Sequence, residues 1–122
     1  MKTLFILLFS AFYSVAFAQE PPKNPAEKKA VYIISHLPEV VAADQYMSTH
    51  GPDKRHLETY IDGYPTPQDN NYLIRVCEFN GMLCHVHFFF YVNAKTFAIR
   101  YLDVVSGKSM PLKMWRKQGA KR

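Results

Sequence analysis

The sequence predicts an α+β fold in which an N-terminal helical segment packs on one face of a four-stranded antiparallel meander sheet. Between Pro25 and Gly51, apolar residues recur at the three- and four-residue spacing of amphipathic helices. From Arg55 onward, apolar and polar residues alternate, which is typical of strands with one buried face. Asn80-Gly81 separates two of these alternating segments and is a strong hairpin signal. Helices followed by consecutive strands favour two layers.

A signal peptide is predicted at the N-terminus. Lys2 precedes an uncharged apolar run from Leu4 to Phe17, and Ala16-Phe17-Ala18 has the small-x-small pattern that signal peptidase recognises. The run is shorter than the roughly twenty residues that span a bilayer. We therefore expect cleavage after Ala18 (residues 1–18), a polar leader over residues 19–24, a secreted or periplasmic protein, and no membrane span afterwards.

Two helices are predicted before the strands. Asn24 is a suitable N-cap, and Pro25 suits the first helical position. Pro38 interrupts the helical pattern because it lacks an N–H and disfavours helical geometry at the preceding residue. A second helix begins near Pro38 and stops at Gly51-Pro52. The expected apolar faces are Ala30, Ile33, Ile34 and Leu37 in the first helix and Val40, Val41, Ala43 and Met47 in the second.

Four strands are predicted after the helices. A loop from Gly63 to Asp69 separates the first strand from the second, because its two prolines cannot lie inside a sheet. The segment from Ser109 to Trp115 suits either a short helix or an edge strand, and in both cases Leu112 and Trp115 cover one end of the core. A single domain then spans residues 25–115, and a solvated basic tail spans residues 116–122. The predicted strands are His56–Ile61, Tyr72–Glu78, Cys84–Val92 and Phe97–Val105.

This order of elements resembles the small exported cystatin-like and PepSY-like domains over roughly Pro25 to Val105. The pattern Phe90-Tyr91-Val92-Asn93 leading to Phe97-Ala98-Ile99 carries the resemblance. The chain lacks the Gln-x-Val-x-Gly signature of protease-inhibiting cystatins, so inhibition of cysteine proteases is not implied. The fold relatives do imply one alternative function, a regulatory or inhibitory domain that acts through the loop at residues 63–70.

The register of the second hairpin decides whether the two cysteines meet. A two-residue turn at Asn80-Gly81 places Cys77 directly opposite Cys84, within disulfide range. A three-residue turn at Phe79 to Gly81 shifts the pairing by one and places Tyr72, Ile74 and Val76 on one face with Cys84, Val86, Phe88 and Phe90. We favour the three-residue turn because it keeps Arg75 off the inner face. On that basis Cys84 is a core residue, Cys77 points outward, and no bridge forms without distortion.

His85-x-His87 has metal-ligand spacing, since alternate strand residues share a side. The favoured register places Arg75 opposite His85, where a guanidinium opposes a metal ion. His56 and Glu58 supply a third ligand only if the first strand curls across the sheet. We expect no catalytic residue, metal or other cofactor; the alternative is a metal-dependent or thiol hydrolase centred on His85, His87 and Cys77.

The outward sheet face is the candidate binding surface. Pairing of Val92 with Phe97 sends Phe97, Ile99 and Tyr101 inward and places Arg100 opposite Phe89, where a cation-π contact is expected. A patch this apolar suits a partner, unless Met114 and Trp115 fold back and cover it. We therefore expect a non-enzymatic exported domain that binds a protein partner or dimerises. Its candidate surface residues are Leu73, Phe89, Tyr91, Arg100, Leu102 and Val104.

Positive charge is concentrated near the C-terminus. Six basic residues and no acidic residue lie between Lys108 and Arg122, in a chain of net charge +5. Clustered positive charge attracts phosphate groups. An exported protein rarely meets cellular nucleic acid, so nucleic acid is not an expected partner.

Overall fold

A computed structural model of the chain describes residues 21–50, 55–79 and 82–120. The predicted signal peptide, Gly51-Pro52 and Asn80-Gly81 lie outside these ranges. The described elements form an α+β fold with a five-stranded antiparallel sheet in the order β1-β2-β3-β4-β5. They are helix α1 (Pro25–Ser35), α2 (Pro38–His50), β1 (Leu57–Gly63), β2 (Asn71–Phe79), β3 (Cys84–Asn93), β4 (Ile99–Asp103), β5 (Lys108–Pro111) and α3 (Leu112–Ala120).

Helix α1 begins as predicted, at Asn24 and Pro25. The Asn24 side chain accepts a hydrogen bond from the Glu27 N–H at 2.8 Å, and the Glu27 carboxylate accepts from the Asn24 N–H at 3.0 Å. These reciprocal bonds form a capping box and satisfy two backbone donors that the helix leaves unpaired. They also explain why Glu27 is buried although it is acidic.

Helix α2 begins at Pro38, as predicted, after a two-residue break. Its Val40 is buried, whereas Val41 is exposed and does not belong to the apolar face expected for it. The Asp44 carboxylate accepts a hydrogen bond from the Leu57 N–H at 2.7 Å. This bond ties α2 to the start of the edge strand β1.

The core lies between the helices and one face of the sheet. Alternate residues of β2 and β3 point to this inner face, because side chains on a strand alternate between faces. Ala30 and Ile34 of α1 are fully buried against it. The buried core residues are Ala30, Ile34, Leu37, Val40, Tyr72, Ile74, Val76, Phe90 and Val92.

The C-terminal segment forms both an edge strand and a helix. β5 pairs with β4 and makes the sheet five-stranded, where the sequence predicted four strands. Trp115 of α3 stacks on Tyr101 at 4.5 Å and meets the ring of Phe90 edge-on at 5.6 Å. Leu112 and Trp115 therefore pack against the core, as expected. Residues 116–120, expected as a solvated tail, continue the helix.

The fourth strand is shorter than predicted. Phe97 has a φ of 59°, a left-handed conformation that is incompatible with a strand. The Asn93 side chain accepts hydrogen bonds from the N–H groups of Lys95 and Thr96, both at 2.9 Å, and closes the turn before it. Val92 pairs with Ile99 rather than Phe97. This register differs from the prediction by two residues, so the inward and outward faces of β4 are those predicted.

The second hairpin has neither predicted turn. Phe79 pairs with Cys84, so residues 80–83 connect the strands. The pairing then shifts, since Cys77 pairs with Val86 and Val76 pairs with Phe88. His87 is therefore an extra residue on β3, a β-bulge.

This bulge brings the two cysteines together. Between the bulge and the turn, Cys84 and Val86 lie with Cys77 on the side of the sheet opposite the inner face. Beyond the bulge, Phe88 and Phe90 lie on the inner face. Cys77 and Cys84 form a disulfide, with their Cα atoms 5.5 Å apart. The expectations of an unbridged Cys77 and an inward Cys84 are thus wrong, although Cys77 does lie on the outer side of the sheet.

Candidate binding face

The sheet face opposite the helices carries two rows of directly paired residues that cross all five strands. We call this surface the outer face. Paired residues in antiparallel strands lie side by side on one face, so each row is continuous. The first row is Gly63, Leu73, Tyr91, Arg100 and Pro111, and the second is Tyr60, Arg75, Phe89, Leu102 and Ser109.

Four of the predicted surface residues form the apolar centre of these rows. Leu73 pairs with Tyr91, and Phe89 pairs with Leu102. All four are half-buried, because neighbouring side chains shield one another while one side stays open. Their positions agree with the predicted surface.

Val104 and the C-terminal aromatic residue are placed differently from the expectations. Val104 lies in the turn after β4 and is exposed, so it is not part of the outer face. Trp115 packs on the inner face against Phe88, Phe90 and Tyr101. Within the described ranges, α3 therefore covers the inner face and leaves the outer face open.

Arg100 is on the outer face, but its partner differs from the predicted one. It pairs with Tyr91 instead of Phe89. Its guanidinium donates to the Ser109 hydroxyl at 3.0 Å and to the Ser109 carbonyl at 3.1 Å. The cation-π contact with Phe89 is replaced by a fixed link between β4 and β5.

Arg75 places a second cation beside the apolar centre. It pairs with Phe89 and not, as expected, with His85, which pairs with Glu78. The guanidinium carbon lies 5.6 Å from the centre of the Tyr60 ring, and Nη2 lies 3.7 Å from the Asp62 carboxylate. Its Nε is buried and has no hydrogen-bond partner among the described residues. A buried donor without a partner costs about 1–3 kcal/mol.

Tyr60 completes this end of the second row. Its hydroxyl donates a hydrogen bond to the Glu58 carboxylate. Burial, reinforced by that carboxylate, raises the pKa of Tyr60 to about 12. Tyr60 is therefore a neutral hydrogen-bonding group throughout the physiological pH range.

Sequence reasoning missed four members of the rows: Tyr60, Gly63, Ser109 and Pro111. Tyr60 lies in a predicted strand in which Glu58 and Tyr60 alternate with Thr59 and Ile61. Because successive strand residues point to opposite faces, this alternation indicates that Tyr60 points outward. Ser109 and Pro111 required the fifth strand. Proline is tolerated there because an edge strand has one side without a ladder partner.

The histidine pair lies near the β-bulge. The His85 and His87 rings are 5.6 Å apart between centroids, and both side chains are exposed. His56 lies 3.3 Å from the Asp44 carboxylate and Glu58 is bonded to Tyr60, so neither joins the pair. Residues 21–50, 55–79 and 82–120 contain no group of three or more potential metal ligands. Cys77 is bonded to Cys84, so its sulfur is not a thiolate nucleophile in this structure.

The loop at residues 63–70 closes on itself. Thr66 and Asp69 exchange backbone hydrogen bonds at 2.8 and 3.2 Å, and the Asn71 side chain donates to the Asp69 carboxylate at 2.7 Å. The ring of Tyr64 meets that of Tyr72 edge-on at 6.3 Å. The loop is thus an ordered turn at the end of the sheet opposite the second hairpin.

None of the described helices is both long and apolar enough to cross a membrane. The chain matches no protein-family model, no curated protein and no solved structure.

Proposed function

We propose that this chain is a small exported, non-enzymatic binding domain and that the outer face is its contact surface for a protein partner. One observation carries the proposal: two continuous rows of largely apolar residues, most of them half-buried, cross the sheet on the side that no described helix packs against. An apolar sheet face commonly packs against a second layer. Here the second layer on that side is the partner. The resemblance to cystatin-like and PepSY-like domains stays a prediction.

The chemistry of the rows indicates what this partner presents. Leu73, Phe89 and Leu102 favour apolar side chains, and Tyr91 adds an aromatic ring. Arg75 and Arg100 lie on either side of this apolar centre. A partner with an apolar patch flanked by carboxylates matches this arrangement, because guanidinium groups pair with carboxylates in two-point hydrogen bonds.

The size of the face limits the affinity. Five strands at about 4.8 Å spacing and a length of about 20 Å give a face of about 500 Å². Stable interfaces bury about 800 Å² on each partner. We therefore expect weak or transient binding, unless the partner also contacts the flanking turns.

Substitution of Phe89→Asp or Leu102→Asp tests the proposal. Each places a carboxylate in the apolar centre, and burial of an unpaired charge at an interface is costly. We expect each variant to keep its fold. Brief chemical cross-linking in the chain's own compartment is expected to capture partner proteins with the unaltered chain but not with either variant. Val41→Asp on α2 is the matched control, because Val41 is an exposed apolar residue on the helical side.

Circular dichroism and the disulfide content establish that each variant is folded. Sedimentation velocity distinguishes a second copy of the chain from a different partner. If both folded outer-face variants capture the same proteins as the unaltered chain and sediment identically, the outer face is not the contact surface.

A further inference from the structure

The two edge strands of the sheet differ in how far their free sides are blunted. β5 is short and is followed directly by α3. The Ser109 carbonyl accepts a hydrogen bond from Arg100 Nη2 at 3.1 Å, and Pro111 has no N–H to offer a further strand. Such features protect an edge against pairing with another chain. The edge formed by β5 is therefore blunted.

β1 forms the opposite edge, and its regular part runs from Leu57 to Ile61, because its pairing with β2 shifts at Asp62. The Leu57 N–H points away from β2, since it donates to the Asp44 carboxylate at 2.7 Å. Backbone groups alternate between the two sides of a strand, so Thr59 and Ile61 also turn their N–H and C=O groups to the free side.

A hydrogen bond elsewhere in the sheet gives the same assignment. The Ala94 N–H, at the end of β3 and on the side that faces β2, donates to the Asn70 carbonyl at 2.9 Å. Counting along the paired residues from this bond places the backbone groups of Thr59 and Ile61 at the free edge. Within the described ranges, neither backbone has a hydrogen-bond partner on that side. β1 is therefore the open edge of the sheet.

A second copy of β1 matches this edge in an antiparallel register centred on Thr59. Thr59 then lies opposite its own counterpart, and Leu57 lies opposite Ile61 of the second copy. All three residues turn backbone groups to the free side, so the hydrogen-bonding positions of the two strands coincide. Leu57 and Ile61 are only partly buried against the core, and in this register each gains an apolar neighbour on the inner side.

The charges on the outer side favour this register over its neighbours. Glu58 lies opposite Tyr60 of the second copy, and within one chain the Tyr60 hydroxyl already donates to the Glu58 carboxylate. A centre one residue earlier places Glu58 opposite its own counterpart, and a centre one residue later places it opposite Asp62. Like charges directly opposite each other are destabilising. The register centred on Thr59 avoids both pairs.

We infer that the chain forms a symmetric dimer in which two β1 strands pair and join the two sheets into one. The N–H of each Thr59 donates to the carbonyl of the other, and the Ile61 N–H donates to the Leu57 carbonyl of the second copy. The Leu57 N–H stays bonded to Asp44, so the contact between α2 and β1 is kept. Addition of a strand to an open sheet edge is a common mode of protein recognition.

The dimer also enlarges the outer face. Its two-fold axis is perpendicular to the sheet, so the outer faces of both copies lie on the same side. Together they present about 1000 Å², more than the roughly 800 Å² that a stable interface buries on each partner. The dimer does not depend on the outer-face proposal, since its own contacts are those of the strand edge.

Sedimentation velocity of the purified chain over a wide range of concentrations tests this inference. Thr59→Pro removes the edge N–H, which is not part of the ladder with β2. Thr59→Val is the matched control, because it keeps the N–H and the branched shape. We expect Thr59→Pro to raise the dimer dissociation constant about tenfold, since two symmetric hydrogen bonds are lost, and Thr59→Val to leave it unchanged. Circular dichroism establishes that each protein is folded.

Thr59→Cys gives a second measurement that does not require the proline variant to fold. At the two-fold centre the Cα atoms of the two substituted residues lie about 5.5 Å apart, within disulfide range. Oxidised glutathione takes up the two electrons and two protons as the two thiols join. We expect a covalent dimer from Thr59→Cys and none from the control Thr49→Cys, an exposed position on α2.

Three results overturn the inference: a chain that stays monomeric at every concentration, a folded Thr59→Pro variant with an unchanged dissociation constant, and a Thr59→Cys variant that yields no more covalent dimer than Thr49→Cys. Phe89→Asp distinguishes this inference from the outer-face proposal. We expect this variant to dimerise like the unaltered chain. Loss of the dimer in Phe89→Asp, with the dimer retained in Thr59→Pro, assigns self-association to the outer face and overturns the pairing of β1.

Discussion

Glu39 and Arg116 join the start of α2 to α3 across 77 positions of sequence. The Arg116 Nε and Nη2 donate to the two Glu39 carboxylate oxygens at 2.7 and 3.2 Å. The hydrogen bond from Arg116 lowers the pKa of the Glu39 carboxyl below its ordinary value of 4.5. A two-point ion pair of this kind fixes the direction of α3 and helps to hold Trp115 against the inner face.

The sign of this shift predicts how acid affects the domain. Because the folded state lowers the pKa of Glu39, the stability that the ion pair adds is present above pH 4.5 and is lost as the pH falls through the lowered value. Solvent reaches both side chains, so the contribution is about 0.5 kcal/mol. Urea unfolding followed by Trp115 fluorescence measures it as a function of pH.

Glu39→Gln isolates this contribution. We expect the variant to be less stable than the unaltered chain near neutral pH and the difference to shrink on acidification, since protonated Glu39 resembles glutamine. Glu58→Gln, a change at an acidic residue outside this ion pair, is the control and leaves the Glu39–Arg116 contribution in place. A difference between Glu39→Gln and the unaltered chain that stays constant with pH contradicts this account.

The β2–β3 hairpin shows which features of an element could be predicted from sequence. Alternation correctly placed Tyr72, Ile74 and Val76 inward with Phe88 and Phe90. It could not reveal the bulge at His87, because the sequence alternates regularly both before and after the extra residue. The prediction therefore had to choose between an uncharged inner face and a disulfide, whereas the bulge allows both.

In other elements too, features set by neighbouring residues were predictable from the sequence, whereas features set by distant strand pairing were not. The N-cap at Asn24 and the break at Pro38 depend on neighbouring residues and were predictable. The left-handed Phe97 was not, because a bulky residue rarely adopts that conformation. β5 was recognised only as one of two alternatives, since its four residues pair across a turn from β4.

The disulfide is the main constraint on the β2–β3 hairpin. It closes a loop of sequence separation 7, so chain-entropy arguments predict that its loss costs about 2 kcal/mol of unfolding free energy. Cys77→Ser combined with Cys84→Ser removes the bridge without leaving a free thiol. Urea unfolding of this double variant measures the loss.

Phe79→Ser is the control for this comparison, because it changes an exposed side chain in the same hairpin and retains the bridge. We expect it to change stability by less than the double cysteine variant. A double variant as stable as the unaltered chain contradicts the conclusion that the bridge constrains the hairpin.

At the scale of the whole molecule, the two sides of the sheet have different surroundings. The inner face is covered by α1, α2 and α3 and holds the buried core. The outer face has apolar rows and fixed cations but, within the described ranges, no covering helix. Five of its six predicted residues, Arg100 among them, were placed on it from sequence, whereas the cross-strand partner of Arg100 and the position of Val104 required the actual register.

Site-specific photocrosslinking tests the outer face as a contact surface most directly, because it traps weak complexes in the cells that make the protein. A photoreactive phenylalanine derivative replaces Phe89 on the outer face or, in the control, the exposed aromatic residue Tyr46 on α2. We predict a discrete crosslinked product from position 89 and none from position 46. Crosslinking from position 46 with no product from position 89 would contradict the account.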